Sequence, residues 1–159
     1  MDKYFVTFFC IGYIKFAPGT LGSICAVVTF LYFYNFFLVN PNYLFFLISF
    51  IFILGWYFIF TYIQKNKIHD PSEIIIDEFL GQLISLVPLL YLRNFKFNHD
   101  YFIELLIFSF LLFRFFDIIK PWPINIIDRS KSSLSILIDD MVAGFFSAII
   151  LFIYLLWRQ

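Results

Sequence analysis

The chain has 159 residues, 62% of them hydrophobic, 25% aromatic and only 14% charged, with a formal net charge of zero. A soluble domain carries about 25% charge, so there is too little polar surface here to coat a water-soluble fold, and the composition points to an integral membrane protein. No basic cluster interleaves with exposed aromatics, which gives no footing for a nucleic-acid partner.

The chain opens with a charged start and a short apolar run, "MDKYFVTFFCIGYIKFAPGT". No small-x-small cleavage site follows before Lys15, so the run is expected to belong to the mature protein. Cys10 and Cys25 sit among apolar or small residues without a C-x-x-C spacing, and read as packing residues. "KFAPGTLGS" (Lys15 to Ser23) carries a Pro18-Gly19 turn signal, with Thr20 or Ser23 able to cap the helix that follows. Free backbone N–H groups at such an end can hold a phosphate.

A spanning helix needs about 20 mostly apolar residues. Leu21 to Val39, Tyr43 to Ile63, Tyr101 to Ile119 and Ile136 to Trp157 meet that requirement. Ile74 to Leu92 is weaker, because it contains Asp77, Glu78, Gly81, Gln82 and Pro88. The expectation is an all-α polytopic membrane bundle with about four to five membrane-embedded helices, a single domain over residues 1–159. With five crossings, Lys3, Lys15, Lys65, Lys67, Lys120, Arg129 and Lys131 fall on one side, and Arg93, Lys96 and Arg158 on the other. The positive-inside rule makes the first side the cytoplasm. Almost every unusual acid then lies at that face.

Two stretches share a pattern. "EIIIDEFLGQLISL" (Glu73 to Leu86) and "SILIDDMVAGFFSAI" (Ser135 to Ile149) each place two adjacent acids after an apolar run, with a glycine about one turn later. Such glycines let helices approach closely, which would bring the two acid pairs together. A carboxylate at a helix N-terminus gains about 0.3 to 1 kcal/mol from the macrodipole, but two adjacent acids, twice, inside apolar runs ask for more. Buried carboxylates repel one another unless a cation holds them. A hard divalent cation is the natural partner, and magnesium is the commonest in phosphate chemistry. "FRFFDIIKPWPINIIDRSK" (Phe113 to Lys131) adds cations: Arg114, Asp117 and Lys120 recur every three residues along one side of a helix end, and Asp128 and Arg129 follow.

The motifs "FAPGTLGS", "HDPSEIIIDEFLGQ", "FRFFDIIKPWPINIIDR" and "ILIDDMVAGFFSA" resemble, in the same order, those of the phosphatidylglycerophosphatase A family, over roughly Phe16 to Ala148. The resemblance implies a magnesium-dependent enzyme of the bacterial inner membrane that removes the terminal phosphate of phosphatidylglycerophosphate, a precursor of phosphatidylglycerol and cardiolipin. It carries over Asp77, Glu78, Asp117, Lys120, Asp128, Asp139 and Asp140, with Gly19 and Thr20 in the first loop. In this reading Asp77, Glu78, Asp139 and Asp140 hold one or two magnesium ions. Lys120, with Arg129 or Arg114, binds phosphate oxygens. Asp117 orients Lys120 or joins the metal ligands, and Asp128 is a base or supports the ligands. The rival from another class is a cation transporter or channel with carboxylates lining its path. A path spreads acids over several depths, whereas here they gather at one face with phosphate-compatible cations beside them.

Overall fold

The computed structural model describes residues 2–8, 11–14, 17–66, 73–94, 99–130 and 132–158. Cys10, Lys15, Lys67, His69, Lys96 and Lys131 lie outside the described residues. Seven α-helices are described: α1 (Asp2–Val6), α2 (Pro18–Val39), α3 (Asn42–Asn66), α4 (Ile76–Ser85), α5 (His99–Ile119), α6 (Ile124–Asp128) and α7 (Ser133–Trp157). Short 3-10 segments occupy Ile11–Tyr13 and Val87–Asn94. No strand occurs among the described residues.

Among those residues, α2, α3 and α7 are long and apolar enough to cross a membrane. Their outward faces are as apolar as their inward ones. On α2, Val28, Tyr32, Phe36 and Val39 are exposed while Gly22, Ala26, Phe30 and Phe37 are buried. On α3, Phe46, Phe50, Ile53 and Tyr57 point out and Leu44, Ile48, Gly55 and Ile59 point in. Both faces recur every three or four residues, as helical geometry requires. Apolar residues on both faces suit a helix with lipid on one side and protein on the other.

α2 starts earlier than expected. Pro18 is its first residue, after Ala17 in the left-handed region (φ 48°). A proline tolerates that position, since its missing N–H has no partner there in any case and its φ is already helical. Thr20 and Ser23 therefore lie inside the helix rather than capping it, and Ser23 Oγ donates to the Gly19 carbonyl at 2.9 Å. α7 also starts early. Ser132 and Ser135 form a reciprocal cap: the Ser135 N–H donates to Ser132 Oγ at 3.0 Å and the Ser132 N–H to Ser135 Oγ at 2.7 Å. Asp139 and Asp140 consequently sit beyond the first turn, where the helix dipole has faded.

The weak fifth segment is not one continuous helix. α4 has ten residues, about 15 Å of helix and half a hydrocarbon core, and a 3-10 stretch containing Pro88 follows it. α4 is buried on nearly every face by Ile76, Phe79, Leu80, Gln82, Leu83 and Ser85. It lies at the centre of the bundle, against α2, α3, α5 and α7. Two glycines bring it to backbone distance of α7: a Cβ on Gly144 would collide with the Gly81 carbonyl, and one on Gly81 would lie 2.5 Å from the Asp140 carbonyl oxygen. Moving from Asp77 to Gly81 tracks Asp140 to Gly144, so α4 and α7 run parallel. α5 is antiparallel to both, with Asp117 beside Asp140 at one end and Tyr101 under the Arg158 guanidinium at the other, 5.5 Å from ring centroid to Cζ. The start of α2, the end of α3, the starts of α4 and α7 and the end of α5 thus share one end of the bundle.

Candidate active site

At that shared end, Asp77, Glu78 and Asp140 each present a carboxylate oxygen, all within 4.8 Å of one another. Asp77 and Glu78 lie in the first turn of α4. Asp140 is 4% exposed and comes across the Gly81–Gly144 crossing. Asp77 Oδ1 and Glu78 Oε2 are buried and have no hydrogen-bond partner, nor has Asp139 Oδ1. Carboxylates this close repel one another and are held together only by a counter-charge or a shared proton. Among these buried oxygens a hard cation with oxygen ligands fits both the donor set and the orphaned atoms.

Asp139 turns elsewhere. Its Oδ2 accepts from Lys120 Nζ at 2.7 Å, and Lys120 also donates to Asp128 Oδ1. Neighbouring residues on a helix point about 100° apart, so Asp139 and Asp140 face different partners. Lys120 follows α5 directly and adopts a left-handed conformation (φ 44°), its N–H donating to the Phe116 carbonyl at 2.9 Å. This is the C-terminal helix stop usually filled by glycine, occupied here by a lysine that precedes a proline. Partial burial pulls the Lys120 ammonium down. The hydrogen bonds from Asp128 and Asp139 outweigh it, and its pKa stands above the ordinary lysine value.

Arg114 pairs with Asp117 at 2.6 Å on the last turns of α5. Asp117 in turn lies against Asp140. Arg114, Asp117 and Lys120 therefore do not form one chain along the helix, because Lys120 leaves the helix and reaches across to α6 and α7. Gly19 closes the near side: a Cβ there would collide with Glu78 Oε1 and lie 3.0 Å from Arg114 Nη1. Thr20 is half-buried beside it in the first turn of α2. Arg129 is the C-cap of α6 and is exposed, one residue after Asp128.

The whole chain can be compared with known proteins. The model of the family described as phosphatidylglycerophosphatase A matches residues 4–155. The chain belongs to that family. It is 30% identical over 147 residues to the phosphatidylglycerophosphatase A of Haemophilus influenzae, covering 92% of this chain and 83% of that protein. It is 35% identical over 137 residues to the Escherichia coli phosphatidylglycerophosphatase A, covering 85% and 72%. A Bacteroides thetaiotaomicron protein named as a putative phosphatidylinositol-3-phosphatase is 31% identical over 146 residues, covering 88% and 84%. No solved structure matches. The chain is accordingly a phosphatase of the phosphatidylglycerophosphatase A family, with helices apolar and long enough for a membrane.

The structure adds residues that sequence reasoning did not single out. Asn125 Oδ1 is buried without a partner, three residues before Asp128 and so on the same side of α6. An Asn between two isoleucines has no signal of its own, and only its spacing to Asp128 hinted at it. Just beneath the acids, Gln82 Nε2 donates to Ser85 Oγ at 2.8 Å, and Ser85 Oγ lies 2.9 Å from Ser109 Oγ. All three residues are fully buried and tie α4 to α5.

Proposed function

We propose that this chain hydrolyses phosphatidylglycerophosphate to phosphatidylglycerol and phosphate, with magnesium, on the cytoplasmic face of a bacterial inner membrane, in the supply of phosphatidylglycerol and cardiolipin. The observation that carries the reading is the cluster of three carboxylates, Asp140 buried and Asp77 and Glu78 partly so with one buried unpaired oxygen each, next to a lysine held by two more acids. The relatives named phosphatidylglycerophosphatase A supply the substrate class. The lysines and arginines expected at the site end support the cytoplasmic orientation.

Asp77, Glu78 and Asp140 would hold the metal, with Asp139 Oδ1 at its edge. When bound, magnesium supplies Lewis-acid polarisation of the phosphoryl group and a water of lowered pKa. The protein's own groups do the rest. Lys120 neutralises phosphate oxygens, where charge spreads in the transition state. Asp128 is the more exposed of its two partners, 39% against 6% for Asp139. An arriving phosphate displaces Asp128 from Lys120, and the freed carboxylate takes the proton of the attacking water. Asp139 keeps Lys120 in place. Asp117 holds Arg114 at the rim, where Arg114 and the more distant Arg129 add positive charge. Gly19 lets the Glu78 carboxylate lie against the start of α2, where a Cβ would collide with Glu78 Oε1, while the Thr20 N–H is already given to the Ala17 carbonyl at 3.0 Å rather than free for a phosphate.

The test is phosphate release from phosphatidylglycerophosphate in mixed micelles by the purified protein, with magnesium and with EDTA. Release that needs magnesium and falls about 10³-fold in Asp140→Asn, as loss of one electrostatic group of this kind does, supports the reading. Undiminished turnover by Asp140→Asn removes the carboxylate cluster from the mechanism. Hydrolysis of externally added substrate by inverted but not by right-side-out membrane vesicles checks the orientation. A second reading, phosphate removal from an inositol lipid, is favoured by the likeness to the Bacteroides protein. Preference for phosphatidylinositol 3-phosphate in the same assay would select it.

A further inference from the structure

Of the apolar grooves on the outside of the bundle, one runs along the two helices that carry Gly19 and Arg114. It lies between α2 and α5, holds about 240 Å³ and is lined by Ile24, Val27, Val28, Leu106, Ile107 and Phe110, with no polar surface. Its upper end is the place where Gly19 of α2 meets Arg114 of α5. Phe110 is one helical turn, about 6 Å, from Arg114, and Ile24 is about 7.5 Å along α2 from Gly19. Its lower end is shut by the Tyr34 and Phe102 rings, 4.9 Å apart between centroids. Two other grooves lie elsewhere on the bundle. One, between α5 and α7, displays Glu104 toward the far end, and the other lies on α3 alone.

Resting on the functional reading above, we propose that this groove seats one acyl chain of the lipid whose terminal phosphate reaches Lys120, and that the lipid enters sideways between α2 and α5. A slot closed at one end by an aromatic pair and at the other by the phosphate site suits a flexible chain rather than a partner helix about 10 Å wide. Lipid tails are as apolar as the groove, so seating a chain adds little affinity. Its effect is orientation: holding the chain fixes where the headgroup sits, and misplacement of a reacting group by about 1 Å can cost 10²-fold in rate.

The test uses phosphatidylglycerophosphate carrying a diazirine in the middle of one chain, with the full-length protein in phosphatidylcholine nanodiscs, irradiated on ice. Label is expected on Val28, Ile107 or Phe110. Unlabelled phosphatidylglycerophosphate should compete it away, and phosphatidylcholine should not. Val28→Trp and Ile107→Trp, which fill the groove, should each cut that labelling at least fivefold and lower kcat/KM for a long-chain substrate about tenfold more than for its dihexanoyl form. Ile53→Trp, on the α3 groove, serves as the control and should change neither. Labelling that phosphatidylcholine competes equally well means ordinary bilayer lipid covers the groove, and overturns the proposal. So does equal loss on long and short chains. Competed labelling in a protein that releases no phosphate would overturn the functional reading and leave the groove standing, whereas turnover without labelling would do the reverse.

Discussion

Lys120 is held by Asp128 and Asp139, and that environment sets how it behaves with pH. Its two carboxylate partners hold the ammonium above its ordinary pKa against the pull of burial. A group raised on folding contributes stability that is fully present below its unfolded pKa, about 10.4 for lysine, and is lost only as pH rises through the folded value. The difference in melting temperature between the wild type and Lys120→Met, measured in detergent, should therefore stay constant from about pH 7 to pH 10. A difference that shrinks within that window would mean the lysine is not held by Asp128 and Asp139. Part of this was legible in the sequence. Asp139 and Asp140 stood out because an apolar run has no other use for adjacent acids. The division of labour between them follows from the angle between neighbouring side chains on a helix. The reach of Lys120 to α6 and α7 did not follow, because the left-handed turn before Pro121 carries the lysine off the helix on which its spacing to Asp117 had placed it.

At the scale of elements, the crossing of α4 and α7 makes the site. The glycine spacing after each acid pair foretold the close approach, and the structure places Gly81 and Gly144 directly against each other. Gly144→Ala would drive a methyl group into the Gly81 backbone, which cannot yield as a side chain can. Such overpacking costs about 1–3 kcal/mol, and it moves Asp140 away from Asp77 and Glu78. A lower melting temperature and at least tenfold lower turnover are expected. Gly55 is the contrast, since a Cβ there would sit 3.5 Å from Leu137 Cδ2 in ordinary contact. Gly55→Ala should keep activity and gain a few tenths to 1 kcal/mol by restricting the unfolded chain. Equal effects of the two substitutions would mean that the α4–α7 distance does not set the site. The brevity of α4 was half legible, through Pro88 and the interrupted apolar run. The Gln82–Ser85–Ser109 contacts were not, since buried serines look like any others until their neighbours across the helix pair are known.

For the molecule as a whole, α2, α3 and α7 are, among the described residues, the helices long and apolar enough to cross a membrane. Apolar length in the sequence offered a fourth, Tyr101 to Ile119, but α5 also carries Asp100, Glu104, Arg114 and Asp117. The weak segment at Ile74 to Leu92 is α4 and a 3-10 stretch, and α4 is surrounded by protein rather than lipid. The convergence of the acids on one end was expected from five crossings, and would not have been expected had that segment lain flat.

The depth of the acid pair on α7 has one more effect. Because α7 begins at Ser133, its first turns stand above the acids, and the uncharged stretch below them, Met141 to Trp157, is about 25 Å long at helical rise. On α5 the stretch between Glu104 and Arg114 is shorter still. A bilayer core of about 30 Å would overshoot this side of the protein and would have to thin to meet it, at a cost of a fraction of a kcal/mol per Å. Such a dimple would draw headgroups down toward the carboxylates, bending the membrane to the protein instead of lifting the lipid out. Turnover should then fall as the acyl chains of the host bilayer are lengthened at constant headgroup and fluidity, and a rate indifferent to thickness would place the acids level with an undisturbed surface.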